Sequence, residues 1–140
     1  MRVLVINGPN LNLLGVREPE IYGHGTYAEL VSFIEAKAAA IGVEVEVRQT
    51  NHEGVIVDWI QECLGKFDAL VINAAAYTHT SVAIHDAIKA VKIRTVEVHL
   101  SEPKVRDDFR RRSFIEQVAE KTCSGKGFGS YAEALDWINK

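Results

Sequence analysis

The chain of 140 residues is poor in cysteine and proline, with two of the first and three of the second. Cys63 and Cys123 lie sixty positions apart and form neither a CxxC pair nor a zinc-ligand spacing, so neither a disulfide framework nor a zinc module is expected. Two unpaired thiols in a reducing compartment are the simplest interpretation. The length predicts a single domain, residues 1–140, with a core large enough to fold without disulfide bonds or structural metal ions.

Long apolar runs and an excess of basic residues are also missing. No apolar stretch approaches the roughly 18 residues needed to cross a bilayer. Residues 1–6 lead directly into a strand-like segment, without the pattern of a signal peptide. The 16 Lys and Arg against 19 Asp and Glu give a net charge of −3, which disfavours a nucleic-acid partner because such binding needs a basic face. We therefore expect a cytoplasmic protein that contacts neither nucleic acid nor membrane.

Short β-branched runs alternate with segments of helical periodicity. The pattern predicts strands over residues 2–6, 43–47, 69–72 and 95–100. Helices are predicted to begin at Thr26, near Gly54 and at Thr80 or Ser81; the first shows the capping-box spacing between Thr26 and Glu29. Residues 115–119 fit a fifth strand or a short helix. Ser130 repeats the capping-box pattern and is predicted to open a last helix that ends at Ile138.

Strands separated by helices imply right-handed crossovers and a parallel sheet covered on both faces. Five strands in this length predict an α/β, flavodoxin-like, doubly wound sheet in three layers. Residues 7–25 hold four Gly, two Pro and three Asn and show no pattern of a strand or a long helix. Because a loop this long in a compact domain is usually functional, residues 15–25 or thereabouts are expected to form a lid.

Polar side chains follow each of the first four predicted strands. In open parallel sheets, ligands bind outside the carboxyl ends of the strands, so these side chains are expected to share one site. They are Asn7, Asn10, Arg17 and Tyr22 after the first strand, Asn51 and His52 after the second, Asn73 and His79 after the third, and Glu97 and His99 at the end of the fourth.

The residue types narrow the chemistry of this site. A P-loop, a GxGxxG turn after the first strand and a GxSxG turn are all missing from the sequence. His79 and His85 are six residues apart, which does not place them on one helix face, so no metal is expected. Tyr, His, Arg and Asn suit acid–base catalysis without a cofactor. A guanidinium within ~4–6 Å favours a phenolate; Arg17 and Tyr22 could meet in their loop, although their spacing equally fits a solvated Arg17 and a packed Tyr22.

Four ordered blocks of the sequence resemble the type II 3-dehydroquinate dehydratases. They are NGPNLNLLG at 7–15 followed by Arg17 and Tyr22, QTNHEG at 49–54, NAAAYTHTSVAI at 73–84, and EVHLS at 97–101 with Phe109 and Arg110. Together they extend to about residue 114. The resemblance implies a metal-free, flavodoxin-like lyase of the shikimate pathway that converts 3-dehydroquinate to 3-dehydroshikimate and water. It also implies a homododecamer built from four trimers.

The resemblance further implies a role for each site residue. Tyr22 would remove the proton next to the ketone, Arg17 would stabilise the phenolate and the developing negative charge, and His99 would protonate the departing hydroxyl. Asn10 would help hold a water at the enolate oxygen, and Glu97 would orient the site. Substrate contacts are expected from Asn73, His79, the backbone of Leu100 and Ser101, Arg106, Arg110, and Asp86 of a neighbouring subunit.

Three departures from the family pattern leave alternatives open. His85 replaces an Arg, Glu102-Pro103-Lys104 replaces Asn-x-His, and residues 117–126 are polar where an apolar strand is usual. Pro103 removes a backbone donor, and Glu102 adds negative charge near an anionic substrate, which would lower affinity. One alternative is therefore an inactive relative kept as a binding protein. The other is a flavodoxin-like module for a phosphate-bearing cofactor, against which the lack of a phosphate loop argues. Whether the pathway runs towards biosynthesis or quinate breakdown is also open.

Overall fold

The computed structural model describes residues 1–16 and 25–140, and in these ranges it contains one five-stranded parallel sheet. The strands are β1 (Arg2–Asn7), β2 (Glu44–Gln49), β3 (Ala69–Asn73), β4 (Arg94–Val98) and β5 (Lys121–Cys123), in the spatial order β2-β1-β3-β4-β5. Asn7 pairs in register with Gln49 on one side and Asn73 on the other. The ends of three strands therefore meet at one edge of the sheet.

In the part of the chain that the structure describes, four helices cover the two faces of this sheet: α1 (Tyr27–Ala40), α2 (Glu53–Glu62), α3 (Val82–Val91) and α4 (Gly129–Ile138). Successive strand residues point to opposite faces. Val3 and Val5 accordingly pack into the core beneath α1 and α4, whereas Leu4 and Ile6 pack beneath α2 and α3. The predicted α/β, doubly wound architecture in three layers is confirmed. Within the described ranges, no helix is both long and apolar enough to cross a membrane.

Side-chain caps begin two helices where the sequence predicts them. Thr26 Oγ1 accepts the backbone N–H of Glu29 at 3.2 Å at the start of α1. Ser81, rather than Thr80, opens α3, because its Oγ accepts the N–H of Ile84 at 3.0 Å. Such caps satisfy donors that the first helical turn leaves unpaired and stabilise a helix by about 1 kcal/mol.

The prediction of a fifth strand or a short helix over residues 115–119 is wrong. The segment forms hydrogen-bonded turns, in which the N–H groups of Val118 and Ala119 both donate to Ile115 O at 3.0 Å. Ile115 itself is fully buried. The strand comes later, at Lys121–Cys123, and pairs with β4. Its three residues are too few and too polar to produce an apolar period, so pairing with β4 defines the strand and the local pattern does not.

The predicted capping role of Ser130 is also wrong. Helix α4 begins one residue earlier, at Gly129, and Ser130 lies inside its first turn. The Ser130 hydroxyl is fully buried and accepts the backbone N–H of Lys126 at 3.1 Å. The side chain therefore holds the turn that precedes the helix, a contact that short-range spacing rules do not distinguish from a cap.

The predicted lid, about residues 15–25, lies largely outside the described residues, and so do Arg17 and Tyr22. The described part of the loop, up to Val16, contains one short 3-10 turn, Leu11–Leu13. Leu11 and Leu14 are buried and anchor this turn to the core beneath α1. The loop therefore leaves the end of β1 along a fixed path.

Candidate active site

A cleft opens at the carboxyl edge of the sheet, above β1, β3 and β4. It encloses about 500 Å³ of empty space, part of it open to solvent. Eight of the residues predicted for the site line it: Asn10, Asn73, His79, His99, Leu100, Ser101, Arg106 and Arg110. Pro9, Leu11, Ala75, Ala76 and Pro103 complete the lining. The parallel sheet thus brings together residues that are up to a hundred positions apart.

His99 is held in this cleft by a buried carboxylate. Its Nε2 lies 2.8 Å from Oε2 of Glu97, which is 1% exposed. A carboxylate only accepts hydrogen bonds, so Nε2 carries the proton and the ring has a fixed orientation. The backbone N–H of His99 donates to Cys123 O at 3.0 Å, which fixes the main chain at this residue as well. The Nδ1 edge of the imidazole remains for a molecule in the cleft.

Glu97 receives two further hydrogen bonds. Ser113 Oγ donates to Oε2 at 2.5 Å, and Thr122 Oγ1 donates to Oε1 at 3.1 Å. Burial by itself raises the pKa of the Glu97 carboxyl, but the hydrogen bond and charge of His99, together with the two hydroxyls, outweigh burial and hold the pKa below its usual value. Glu97 is therefore an anion beneath the cleft.

His79 presents a neutral imidazole to the same cleft. Its Nδ1 lies 2.7 Å from the carbonyl oxygen of Arg112 and must carry a proton, which leaves Nε2 as the other ring nitrogen. Burial lowers the pKa of His79; the positive charges of His99 and Arg110 add to this, while the hydrogen bond to Arg112 opposes it. A neutral ring of this kind can accept a hydrogen bond from a hydroxyl group.

Asn73 belongs to a second buried cluster, which carries no charge. Its Nδ2 donates to the hydroxyl of Tyr131 at 3.0 Å, and its Oδ1 accepts the N–H of Ala75 at 3.1 Å. The Tyr131 hydroxyl in turn donates to Asn7 Oδ1 at 2.5 Å, and Asn7 Nδ2 donates to Tyr27 at 3.5 Å. Burial raises the pKa of Tyr131 and keeps its hydroxyl a donor. The amide of Asn73 therefore has a fixed position at the cleft wall.

Among the residues that the structure describes, two arginines supply positive charge to the cleft. Arg106 and Arg110 both line it, on the segment that contains the 3-10 turns Pro103–Val105 and Asp108–Arg110. Arg110 Nε lies 3.3 Å from Asp107 Oδ2, and its guanidinium lies 5.0 Å from the Phe109 ring centroid. The planar fork of a guanidinium matches the geometry of a carboxylate. This wall of the cleft thus suits an anionic ligand.

The chain reaches the opposite wall through a tight contact at Gly8. The Gly8 N–H donates to Asn73 O at 2.8 Å, and a Cβ at this position would lie 2.6 Å from the carbonyl oxygen of Ala74. Only glycine permits this approach. Asn10 follows in the left-handed conformation at φ 71°, with its N–H donating to Asn51 Oδ1 at 3.0 Å. The Asn10 side chain consequently lies at the rim of the cleft.

Other predicted residues lie elsewhere. Asp86 is exposed on α3, away from the lining of the cleft. His85 donates through Nδ1 to Phe114 O at 2.7 Å. The Glu102 carboxylate turns towards Ser124 Oγ, at 2.6 Å, and the N–H of Lys104, at 3.2 Å. The charge expected to weaken anion binding is thus partnered outside the cleft. Among the described residues, no cluster of three His, Cys, Asp or Glu side chains could hold a metal ion.

The sequence did not identify three residues that hold the site: Ser113, Thr122 and Tyr131. Ser113 and Thr122 lie 16 and 25 positions from the Glu97 that they contact, and Tyr131 lies 58 positions from Asn73. None of them directly follows one of the first four predicted strands, so the rule that ligands bind at the carboxyl ends of parallel strands does not predict them. Isolated hydroxyl residues carry no motif; only the folded sheet brings them to their partners.

An α/β sheet carries an oriented imidazole, amides and guanidinium groups at its carboxyl edge, and these groups can bind an anion and exchange protons. A family model described as dehydroquinase class II matches residues 1–139. The 3-dehydroquinate dehydratase of Dinoroseobacter shibae is 50% identical over 138 residues, covering 99% of this chain and 92% of the relative. That of Clostridium acetobutylicum is 52% identical over 137 residues, covering 96% and 92%.

Solved structures agree with the sequence comparison. The crystal structure of type II dehydroquinase from Butyrivibrio crossotus superposes with a TM-score of 0.98 at 46% identity and covers 100% of this chain and 98% of that one. The type II dehydroquinase from Propionibacterium acnes gives 0.94 at 38% identity, covering 99% and 95%. The chain belongs to the class II dehydroquinase family and is an enzyme of that class.

Proposed function

We propose that this enzyme dehydrates 3-dehydroquinate to 3-dehydroshikimate in the shikimate pathway, in the cytoplasm. The observation that carries the proposal is the imidazole of His99, fixed by the buried Glu97 carboxylate in a cleft that also presents Arg106 and Arg110. The substrate is an anionic ring with a ketone and several hydroxyl groups. The cleft offers cations for its carboxylate, amide and imidazole groups for its hydroxyls, and an acid for its leaving group.

The first proton transfer in the proposed reaction uses residues of the lid. Tyr22, as a phenolate, takes the proton from the carbon next to the ketone, and the electron pair moves into an enolate. Arg17 stabilises the phenolate and the charge that develops on the substrate. Asn10, at the cleft rim, helps to hold a water against the enolate oxygen. Donors aimed at developing charge in a site shielded from water are typically the largest contribution to catalysis.

The second proton transfer uses His99. The enolate collapses, the bond from C1 to its hydroxyl breaks, and the imidazolium supplies the proton that lets the hydroxyl leave as water. Because Nε2 is committed to Glu97, Nδ1 is the atom that gives this proton. A positioned acid or base typically contributes ~10²–10⁴-fold to a rate. His99 and Tyr22 therefore share the acceleration between two steps.

Substrate binding is distributed over the cleft wall. Arg106 and Arg110 hold the carboxylate with the backbone of Leu100 and Ser101, and Asn73 and His79 hold hydroxyl groups. Asp86, on the exposed face of α3, contributes from a neighbouring subunit in a dodecamer of four trimers. Light scattering of the purified protein tests this assembly: the expected mass is twelve times that of the 15.5-kDa chain, and a monomer would contradict it.

Incubation of the purified protein with 3-dehydroquinate tests the activity through the ultraviolet absorbance of the enone product. We expect turnover by the wild type and an at least hundredfold lower kcat for Tyr22→Phe, which lacks the base but keeps the ring. Binding without turnover by the wild type would favour the inactive relative, and a coloured protein would favour a cofactor-binding module. Activity of Tyr22→Phe within tenfold of wild type would assign the base elsewhere.

Arg17→Ala tests the pairing within the lid. Without the neighbouring cation, the phenol should lose its proton only at higher pH, so the acidic limb of the pH–kcat profile should move upwards. A profile measured between pH 6 and pH 10 decides the point. An unchanged acidic limb would contradict the pairing of Arg17 with Tyr22.

A further inference from the structure

We infer that Ser113 is a positioning residue for the acid step: it fixes the carboxylate of Glu97, which in turn holds His99. This inference rests on the proposed dehydration, in which His99 supplies the proton to the leaving group. Ser113 lies outside the cleft lining, so it acts through Glu97 and does not touch the substrate.

The hydroxyl of Ser113 acts on the same oxygen that holds the imidazole. Ser113 Oγ lies 2.5 Å from Oε2 of Glu97, and His99 Nε2 lies 2.8 Å from that oxygen. Ser113 Oγ also accepts the N–H of Glu116 at 3.0 Å, so its own proton points to the carboxylate. Thr122 holds the other oxygen, Oε1, at 3.1 Å. The carboxylate therefore cannot rotate without breaking a bond at one oxygen or the other.

The backbone around Ser113 is itself tied to the segment that follows β3. Three hydrogen bonds flank the residue: His79 Nδ1 to Arg112 O at 2.7 Å, Phe114 N to Thr78 O at 2.9 Å, and His85 Nδ1 to Phe114 O at 2.7 Å. An imidazole Nδ1–H that faces a carbonyl donates whether the ring is neutral or charged. The position of Ser113 is thus set by contacts on both sides and does not depend on the protonation of either histidine.

The hydroxyl matters because Glu97 is buried. Desolvation favours the neutral form of a carboxyl group, and the hydrogen bonds to the anion oppose it. A neutral or rotated Glu97 would no longer fix the His99 ring or balance its positive charge. Loss of Ser113 should therefore impair the step in which His99 gives up its proton, and should leave the earlier removal of the α-proton largely intact.

The experiment compares three variants: Ser113→Ala, the conservative Ser113→Thr and the control Thr95→Val. Thr95 lies on the same strand as Glu97, and its buried hydroxyl donates to Ile93 O at 3.0 Å, so Thr95→Val is a matched loss of one hydroxyl bond away from Glu97. We expect Ser113→Ala to lower kcat for dehydration about tenfold with KM unchanged, as fits one bond to a charged group. Ser113→Thr should recover most of the loss, and Thr95→Val should stay within twofold of wild type.

A second rate separates positioning from general damage. Exchange of the α-proton with deuterated solvent reports the base step, and enone formation reports the acid step. In Ser113→Ala the exchange rate should stay within twofold to threefold of wild type while dehydration falls. Equal losses in both rates, or no rescue by threonine, would overturn the assignment of Ser113 to the acid step.

A measurement without substrate keeps this inference separate from the proposed function. Nuclear magnetic resonance of ¹⁵N-histidine protein, with His99 assigned through Glu97→Gln, reports the Nε2–H bonded to Glu97. We expect its shift to change in Ser113→Ala and Thr122→Val but not in Thr95→Val. An unchanged shift in Ser113→Ala overturns the inference even if the enzyme is active. If the shift changes in Ser113→Ala but the wild type does not dehydrate 3-dehydroquinate, the contact between Ser113 and Glu97 is supported and the proposed reaction is refuted.

Discussion

Two buried polar clusters lie side by side at the carboxyl edge of the sheet, and they differ in charge. The neutral cluster joins Asn7 and Asn73, at the ends of β1 and β3, to Tyr27 of α1 and Tyr131 of α4. The charged cluster consists of Glu97 in β4, His99 directly after it, Thr122 in β5, and Ser113 in the segment that precedes β5. Both join distant parts of the chain through side-chain hydrogen bonds.

The difference lies in what each cluster leaves available to the cleft. In the neutral cluster the hydroxyl of Tyr131 both donates and accepts, so its groups mostly satisfy one another. In the charged cluster, three donors converge on Glu97, while His99, whose Nε2 is bonded to Glu97, also lines the cleft and has Nδ1 as its second ring nitrogen. A closed network stabilises the fold; a network with one uncommitted, protonatable group can also do chemistry. Substitutions in the two clusters should therefore separate stability from turnover.

His99→Ala should give the largest effect. The change removes the proposed acid but not the base, so overall dehydration should fall by about 10²–10⁴-fold, the typical contribution of a positioned acid. The rate of α-proton exchange in deuterated solvent should fall less. Measuring both rates on one preparation checks this division, and parallel losses would contradict it.

Tyr131→Phe should mainly lower the stability of the fold, with a smaller effect on turnover. The variant leaves Asn7 Oδ1 and Asn73 Nδ2 without their buried partner, which should lower the free energy of unfolding by about 1–3 kcal/mol. Turnover at saturating substrate should change by less than in His99→Ala, since the acid and base remain. Urea denaturation and kcat measured side by side provide the check. A large loss of kcat with unchanged stability would abolish the distinction between the clusters.

The pH dependence of stability should follow the charged cluster. In the folded protein the pKa of Glu97 lies below its ordinary value. The Glu97 anion therefore stabilises the fold fully above the ordinary pKa of a glutamate, and this contribution disappears as the pH falls through the folded pKa. Compared with Glu97→Gln, the wild type should lose its advantage in unfolding free energy below about pH 5. The depressed pKa values of Glu120 and Glu133 are common to both proteins and cancel in this difference. A constant difference between pH 7 and pH 3 would refute the attribution.

Ser124→Ala should give the smallest effect. Ser124 donates to Glu102, whose carboxylate is partly exposed, whereas Glu97 is buried. Without this partner the side chain of Glu102 should turn more freely towards an anionic substrate and raise KM about twofold, with kcat unchanged, because charges in contact with solvent interact weakly. Steady-state kinetics at low and moderate salt test this, and the effect should shrink as salt rises. A fall in kcat like that of Ser113→Ala would remove the contrast between the buried Glu97 and the partly exposed Glu102.

The sequence predicted the order of strands and helices and most of the cleft. The first four strands, the caps at Thr26 and Ser81, and the edge that gathers Asn73 and His99 follow from periods and spacings of a few residues. The predictions for residues 115–119 and for Ser130 were wrong for the same reason. In both places the local pattern was compatible with several structures: residues 115–119 form hydrogen-bonded turns, and the Ser130 hydroxyl accepts the N–H of Lys126 instead of capping the helix.

The sequence by itself determined the hydrophobic periods, the loop glycines and the chemical groups at the strand ends, because these depend on neighbours within one or two turns of the chain. Only the tertiary structure decided which hydroxyls reach Glu97, which tyrosine closes the Asn7 and Asn73 pair, and where the short fifth strand lies. A buried charge needs donors from wherever the fold can supply them. Such donors have no fixed spacing along the chain, and packing of the sheet against its helices selects them.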